Sequence, residues 1–550
     1  MEINTPKTTQ LPLFIGLATI LCLVTTSYIL LNLPGKVYIS IWLNDIVALL
    51  DAAYRASLGG MPNVDFSTPI GPLNFLVSGY FLASGAGIGT VFALQTEATF
   101  LFLCIICIRP LSDRFGSLMI ILIILIVWLL VVAPLGMGVF YEDNSWAMYY
   151  NRFGWAALFL TFLFYVSPRA PTKIGMIFDV TALALLISFQ IYTKITYGIV
   201  AFCFLIALAL VGRYEKRVAL IGIATIGLLA LLWEILTQST FGYINSILVA
   251  IESRGAYRSN LWGTIARSLK DFELIVAALL STLYLWMRVR RTPLDLLYVS
   301  GCLAIGLVLL DQNGEPSGLP ALFAPLICFF EIERRNLIEV ASNSNASDQK
   351  SNLTLPFILL IALAPFAVSR SISVQNYHQK ITNLSSVADA PQKLENLLAP
   401  KSPVSNLAQI EADYDLPNLT IGEIRLILKD TLSTGEYYKS IIDGSNLITK
   451  QGLNADSVVT VLDVANPFSY IFNLKPPSGS EPFFWGRPDS LHKSPKVFFD
   501  HVDIVMIPRH PYHYSRLKQL KVIYQPYLTL HYERKASSDY WEYWKAKDQL

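Results

Sequence analysis

Charged residues are scarce in this sequence. They make up 15% of its 550 residues, whereas an ordinary globular protein carries about 25%. This shortage excludes a soluble enzyme, a fibrous protein and a disordered chain. The formal net charge of +2 gives no reason to expect a nucleic-acid partner.

Histidine and cysteine are each missing from one part of the chain. All six histidines lie in residues 373–550, and all six cysteines lie in residues 1–372. The lack of histidine argues against a His-rich zinc site in the first part. The lack of cysteine removes disulfides as an indicator of the compartment of the second part. Cys104 and Cys107 have redox or metal spacing, but their apolar neighbours favour simple packing in a membrane.

The charged residues that are present are distributed unevenly. Residues 373–550 hold 38 of the 82, although this segment is less than half as long as residues 1–372. This difference predicts two parts. Residues 1–372 are predicted to form a membrane body, and residues 373–550 a domain of near-globular composition.

Long apolar segments divide the membrane body. Crossing roughly 30 Å of hydrocarbon takes about 20 apolar residues in a helix. Eleven segments approach this length: 11–33, 87–108, 116–134, 153–167, 175–192, 196–212, 218–236, 272–287, 294–311, 319–332 and 355–371. The first is longer than a signal-peptide core and no cleavage site follows it, so it is predicted to be retained. The predicted fold is an all-α polytopic membrane protein with about 11 transmembrane helices.

Lysine and arginine in the short loops predict the orientation of these helices. If residue 1 lies inside, the inner connections contain fourteen basic residues and the outer segments contain eight. The outer segments are then 34–86, 135–152, 193–195, 237–271 and 312–318. An odd number of spans then places residues 373–550 outside, in the periplasm of an inner (plasma) membrane. This count requires Leu73–Ser84 to be a juxtamembrane helix that begins at Pro72 and does not cross.

The first outer loop carries carboxylates at the membrane edge, where charge is costly. Asp45, Asp51 and Asp65 lie in it. Asp51 and Arg55 are four residues apart on a predicted helix, so a structural ion pair is the alternative to a functional role. The glycines and proline of Gly59–Pro62 end that helix.

The pattern of this loop resembles the GT-C class of membrane glycosyltransferases, which includes bacterial aminoarabinose transferases and protein mannosyltransferases. The class has an acid after the first span, an amphipathic stretch ending in Tyr/Arg, a Gly-x-x-Pro turn and a Pro-rich entry to a juxtamembrane helix. The corresponding positions here, in order, are Asp45, Tyr54-Arg55, Gly59–Pro62 and Pro69–Pro72. The usual Asp-Glu pair is reduced to one carboxylate, which leaves open whether Asp45 or Asp51 is the primary acid.

The resemblance implies further site residues along the body. The class places a second acid in the outer loop that corresponds to residues 135–152, where Glu142 and Asp143 lie. Tyr149, Tyr150 and Arg152 follow, and an aromatic belt with an anchoring arginine is the alternative for them. The class also places a lysine at a tight outer turn, which Lys194 matches, and a lone lysine at a membrane edge predicts an anionic partner.

The implied reaction moves a sugar from a polyprenyl-phosphate donor to an acceptor hydroxyl on a membrane lipid or cell-envelope glycan. The predicted catalytic carboxylates are Asp45, Asp51, Glu142 and Asp143, with Asp45 or Asp51 as the base. The predicted substrate-binding residues are Arg55, Asp65, Tyr149, Tyr150, Arg152, Lys194, Arg254 and Arg258, whose cations stabilise the departing phosphate.

Two parts of this assignment stay open. Arg254 and Arg258 lie four apart in the outer segment 237–271, where a solvated helix face is the alternative. No residue is assigned as a metal ligand, and a carboxylate site for Mg²⁺ or Mn²⁺ is left open.

The second part of the chain alternates predicted strands and helices. Strands are expected within Asp456–Val464 and Val502–Pro508, with a helix at Gly435–Gln451, which predicts a small soluble α/β domain. The resemblance implies that such a domain caps the site. The alternatives for the whole chain are a multi-span transporter or lipid flippase and a non-catalytic envelope scaffold. Transporters usually show internal repeats, and this sequence shows none.

Overall fold

The computed structural model describes residues 10–135, 143–254, 272–289, 292–313, 320–343, 354–387, 389–400, 432–482, 493–512 and 514–547. Helices dominate the membrane body. Their bounds are α1 Gln10–Ser27, α2 Leu43–Ser57, α3 Pro72–Ala83, α4 Val91–Ser112, α5 Ser117–Val132, α6 Tyr149–Phe162, α7 Lys173–Thr193, α8 Ile195–Leu210, α9 Lys216–Thr237, α10 Thr240–Arg254, α11 Phe272–Val289, α12 Pro293–Asn313, α13 Phe323–Asn343 and α14 Thr354–Asn383.

Each of the eleven predicted spans overlaps one of these helices. Within the described residues, five helical segments are long and apolar enough to cross a membrane: Gln10–Asn32, Val91–Ser112, Lys173–Thr193, Lys216–Thr237 and Pro293–Leu310. The chain is therefore a membrane protein, as its composition predicts. The number of eleven crossings stays a prediction, because several of the other helices are shorter.

Two short helices cover one end of the body, which we call the α2 end. The end of α2 is followed by Gly59, whose positive φ of 92° favours glycine. The first turn of α3 contains Pro72, as predicted. Gly79 of α3 lies so close to Ala53 and Ala56 of α2 that an added Cβ would clash with them. The two helices therefore pack as one unit.

Buried ion pairs join the helices at the opposite end. Arg114 donates to both carboxylate oxygens of Asp179 at 2.7 Å and also to the hydroxyl of Tyr214. Glu331 accepts from Arg169 at 2.9 Å and from two arginines on its own helix. Several of the basic residues that predict the inner side thus also hold neighbouring helices together.

The C-terminal part of the chain contains a four-stranded mixed sheet. Its elements are α15 Thr434–Gln451, β3 Val459–Val461, α16 Phe468–Ile471, α17 Pro495–Phe498, β4 Ile504–Pro508, α18 Tyr514–His531, β5 Tyr532–Ser537 and β6 Trp541–Ala546. The strand order is β3-β4-β6-β5, with β3 and β4 parallel and the other pairs antiparallel. The strand predicted within Asp456–Val464 is present as β3, which is shorter than expected.

The two C-terminal strands were not anticipated from the aromatic end of the sequence. The indole of Trp541 is buried, and its Nε1 donates to the carbonyl of Ser440 on α15 at 2.7 Å. Tyr524 is also buried and stacks on Phe498 at 4.2 Å between ring centroids. Tyr524 and Phe498 belong to a buried cluster within the C-terminal part, whereas Trp541 belongs to the buried cluster that continues into the membrane body.

The two parts of the chain are joined by more than a linker. Helix α14 continues past residue 372, the predicted boundary, to Asn383. Beyond it, β2 Leu397–Leu398 pairs in parallel with β1 Val37–Tyr38 from the start of the chain. The beginning of the C-terminal part is therefore hydrogen-bonded to the membrane body.

Candidate functional site at the α2 end

The two acidic loops predicted from the sequence lie next to each other. Ser40 donates its backbone N–H to the carbonyl of Asn144 at 2.8 Å, and the Asn144 N–H donates to the Ser40 hydroxyl at 2.8 Å. Asp143 is half-buried beside Tyr38, and burial together with that carboxylate raises the pKa of Tyr38. Glu142 lies outside the described residues. The structure thus brings Asp143 to the α2 end.

Asp45 occupies the first turn of α2. The helix begins directly after Trp42, which adopts the left-handed backbone conformation with φ 58°. The half-buried Asp45 carboxylate accepts a hydrogen bond from the amide of Asn44 at 3.1 Å. It also lies close enough to Tyr437 of α15 to raise the pKa of that tyrosine, after burial and Asp463. Asp45 therefore faces the C-terminal domain.

Asp51 and Arg55 form the buried ion pair that the sequence left as an alternative. Arg55 Nε lies 3.2 Å from Asp51 Oδ2, and both side chains are shielded from solvent. Burial raises the pKa of Asp51, and the Arg55 guanidinium partly opposes this effect. The guanidinium also donates to the carbonyls of Pro477 at 2.9 Å and Ser480 at 3.1 Å. Arg55 thus binds the C-terminal domain to α2.

Neighbouring contacts extend this connection. The Tyr54 hydroxyl donates to the carbonyl of Leu474 at 3.2 Å, and its ring packs edge-on against Tyr470 of α16. The Ser67 N–H donates to Glu481 at 2.6 Å. The segment that follows α16 is therefore held by the last turn of α2 and the loop that follows it.

Asp65 closes a turn in the same loop. It is exposed, and its carboxylate accepts the backbone N–H of Met61 at 2.6 Å. This contact gives Asp65 a clear local role in shaping the loop between α2 and α3.

Lys194 lies in the tight turn between α7 and α8, and its neighbours from α6 are one polar and one aromatic residue. Its Nζ donates to Asn151 Oδ1 at 2.6 Å and lies 5.2 Å from the centre of the Tyr150 ring. The preceding residue, Thr193, accepts the N–H of Gly71 and the amide of Asn74 at the start of α3. The Lys194 turn is therefore fixed to the same short helix that packs against α2.

Tyr149 and Arg152 are buried within the body near this turn. Tyr149 packs against Phe92 of α4, with ring centroids 6.0 Å apart. Arg152 donates to the carbonyl of Ala133 and lies 5.4 Å from the ring centre of Trp146. Their surroundings fit anchoring of α6. Arg254 is the last residue of α10, its side chain is outside the described part of the structure, and Arg258 is outside it altogether.

Sequence reasoning missed the contributions of Asn151, Tyr437 and Asp463. Asp463 follows β3, is 2% exposed, and accepts backbone hydrogen bonds from Val464 and Tyr512. Burial raises its pKa to about 7. An aspartate at the carboxyl end of a strand could have been identified as a candidate, because α/β sheets bind ligands at that edge. The position of Asp463 above α2 could not have been identified from the sequence.

The described part of the structure contains no group of three or more His, Cys, Asp or Glu side chains that could hold a metal ion. The possible Mg²⁺ or Mn²⁺ site among the loop carboxylates therefore stays open, since Glu142 is outside the described residues.

Comparison with solved structures finds a fold shared with ArnT in the apo state. ArnT from Cupriavidus metallidurans in the apo state has a TM-score of 0.50 at 12% sequence identity, and the match covers 97% of this chain and 99% of that chain. The same protein bound to undecaprenyl phosphate has a TM-score of 0.48 at 13% identity, covering 98% and 99%. The oligosaccharyltransferase AglB from Archaeoglobus fulgidus, in complex with an inhibitory peptide and a dolichol-phosphate, has a TM-score of 0.38 at 12% identity, covering 97% and 74%.

No protein-family model and no curated protein sequence matches the chain. The resemblance to GT-C transferases predicted from the sequence is confirmed for the fold. A structural match at such low sequence identity establishes the fold alone. The activity has to be argued from the site.

Proposed function

We propose that this protein is a membrane glycosyltransferase that moves a sugar from a polyprenyl-phosphate donor to an acceptor hydroxyl. The observation that carries the proposal is that the helix of Asp45 and the turn of Lys194 both contact the short helix α3. Asp45 lies on α2, which packs against α3, and the Lys194 turn is hydrogen-bonded to the start of α3. The fold shared with ArnT supports this class of reaction.

In the proposed reaction, Asp45 accepts the proton of the acceptor hydroxyl as that oxygen attacks the anomeric carbon of the donor sugar. The bond between that carbon and the phosphate oxygen breaks, and the electron pair leaves with the polyprenyl phosphate. Lys194 stabilises the charge on the departing phosphate. Asn151 and the ring of Tyr150 hold its ammonium group in place.

The other predicted residues have supporting roles in this proposal. Asp51 and Arg55 position the C-terminal domain and do not contact the phosphate, because the guanidinium already binds Asp51, Pro477 and Ser480. Asp143 adds a second carboxylate at the α2 end, Glu142 remains a candidate acid, and Asp65 shapes its loop. Tyr149 and Arg152 anchor α6, and Arg254 and Arg258 remain candidate phosphate ligands.

The proposal includes an orientation. The α2 end faces the outside of an inner (plasma) membrane, and residues 373–550 form a periplasmic domain over it. Basic residues concentrated near the opposite end of the helices support this assignment. Reporter fusions after residues 113 and 400 should report inside and outside, and an inside position for residue 400 would overturn it.

The test is sugar transfer in proteoliposomes supplied with radiolabelled polyprenyl-phosphate hexoses and a membrane-lipid fraction. Lys194→Met should reduce transfer about 10-fold or more, because one charge-assisted contact to the leaving group is lost. Lys173→Met is the matched control, since Lys173 begins the helix that Lys194 follows. Equal rates for the wild type and Lys194→Met would contradict the assigned role.

A further inference from the structure

One edge of the C-terminal sheet faces the membrane body. Strands β3 and β4 run parallel, so their carboxyl ends lie at the same edge, where sheets of this kind bind ligands. The chain after β3 leads to Asp463 and then to α16, which packs against α2 through the Tyr470–Tyr54 ring contact. Helix α15 also packs against α2. The edge therefore lies over the helix that carries Asp45.

Asp463 has a buried acceptor with no partner at this edge. The side chain is 2% exposed, and backbone N–H groups of Val464 and Tyr512 donate to it. Its second oxygen, Oδ1, has no hydrogen-bond partner among the described residues. Most buried polar atoms in proteins are satisfied, so an exception at a domain boundary points to a missing donor.

Tyr437 lies between this carboxylate and the membrane body. Its side chain is 2% exposed, and its ring packs edge-on against Tyr512 at 5.3 Å. Asp463 and Asp45 both act on its hydroxyl, since each raises the pKa of Tyr437 in addition to burial. Two carboxylates from different parts of the chain thus act electrostatically on one phenol.

The chemistry of this group selects its ligand. A carboxyl oxygen accepts hydrogen bonds, so the free Oδ1 of Asp463 suits a hydroxyl donor. Carboxylate charge at this place disfavours a phosphate. A tyrosine adds a flat apolar surface and a hydroxyl that both donates and accepts. Sugar units supply several hydroxyl donors without a negative charge.

We propose that Asp45, Tyr437 and Asp463 form a subsite for a sugar unit between the membrane body and the C-terminal domain. The inference extends the proposed function, because it places the sugar here and the phosphate at Lys194. The sugar belongs either to the donor or to a glycan acceptor, and both offer the same hydroxyl chemistry. Arg55 keeps the subsite assembled, since it holds the segment after α16 on α2.

The test compares three probes on the full-length protein in detergent: undecaprenyl phosphate, undecaprenyl-phosphate-linked glucose, and a lipid A disaccharide. The variants are Asp463→Asn, which keeps the shape, and Tyr437→Phe, which keeps the ring. Asp500→Asn is the control, because Asp500 is an exposed aspartate of the same domain, with 56% side-chain exposure. Melting temperatures no lower than that of the wild type establish that each variant is folded.

We expect Asp463→Asn to weaken binding of one sugar-bearing probe by about 10-fold, since the free acceptor oxygen is replaced by a donor NH2 group, and to leave undecaprenyl phosphate unaffected. A loss confined to linked glucose assigns the subsite to the donor, and a loss confined to the disaccharide assigns it to the acceptor. Unchanged binding of both sugars, or an equal loss for the bare carrier, would overturn the subsite. Failure of the wild type to bind undecaprenyl phosphate would instead contradict the proposed function.

Discussion

The buried carboxylate of Asp463 should make the stability of the protein depend on pH. Burial raises its pKa from an ordinary value of about 4 to about 7. The folded state therefore binds more protons than the unfolded state between these two values, so stability is greatest below about pH 4 and falls as pH rises through about 7. From pH 5 to pH 8 the expected loss is about 3 kcal/mol, since one pKa unit corresponds to about 1.4 kcal/mol.

Asp463→Asn removes this dependence, because the amide stays uncharged and its oxygen still accepts from Val464 and Tyr512. Unfolding of the full chain in detergent, followed by tryptophan fluorescence at pH 5, 6, 7 and 8, measures the effect. The buried Trp541 reports on the same domain. We expect the variant to gain about 3 kcal/mol relative to the wild type between pH 5 and pH 8.

The control for this measurement is Asp500→Asn, whose exposed side chain should leave the pH profile unchanged. Parallel profiles for the wild type and Asp463→Asn would refute the reasoning. They would show that the Asp463 carboxylate is solvated and titrates in its ordinary range.

Three further substitutions test other parts of the structure. Arg55→Lys keeps the charge but loses the planar guanidinium that reaches several acceptors at once. Limited proteolysis should therefore release the C-terminal domain faster than from the wild type, and equal cleavage would count against the docking role. Lys194→Met should weaken binding of undecaprenyl phosphate about 10-fold in a direct binding assay, whereas unchanged affinity would place the phosphate elsewhere. Arg114→Met leaves Asp179 buried without its partner and should cost about 3–5 kcal/mol; a wild-type yield and melting temperature would contradict this.

The helices of the membrane body could be predicted from the sequence because their signal is local. A run of apolar residues of sufficient length needs no distant partner to identify it. The same is true of α2 and α3, whose ends are set by Gly59 and Pro72. The two last helices of the body are less well predicted, because α13 and α14 continue to Asn343 and Asn383, well past the predicted ends at residues 332 and 371.

The composition of the site was less predictable because its contacts connect distant parts of the chain. Arg55 was assigned to substrate because it matches a class motif, yet its acceptors lie 422 and 425 residues further along. Asp463 belonged to a predicted strand and showed no sign of its proximity to Asp45. No spacing rule applies across such separations.

The C-terminal strands were missed for a different reason. Tyr532 of β5 and Trp541, Tyr543 and Trp544 of β6 stand among charged residues. Such a sequence fits a surface for binding sugars or lipid headgroups as well as a packed core. Only packing distinguishes these possibilities, and Trp541 and Tyr543 are buried. The core-packing alternative applies to these two residues.

The most direct test of the central claim is sugar transfer by Asp45→Asn at saturating polyprenyl-phosphate sugar. If Asp45 is the base, transfer falls by about 100-fold or more, while undecaprenyl phosphate binds with wild-type affinity. Asn44 remains beside the substituted residue, so the start of α2 is preserved. Transfer at the wild-type rate by Asp45→Asn would contradict the account.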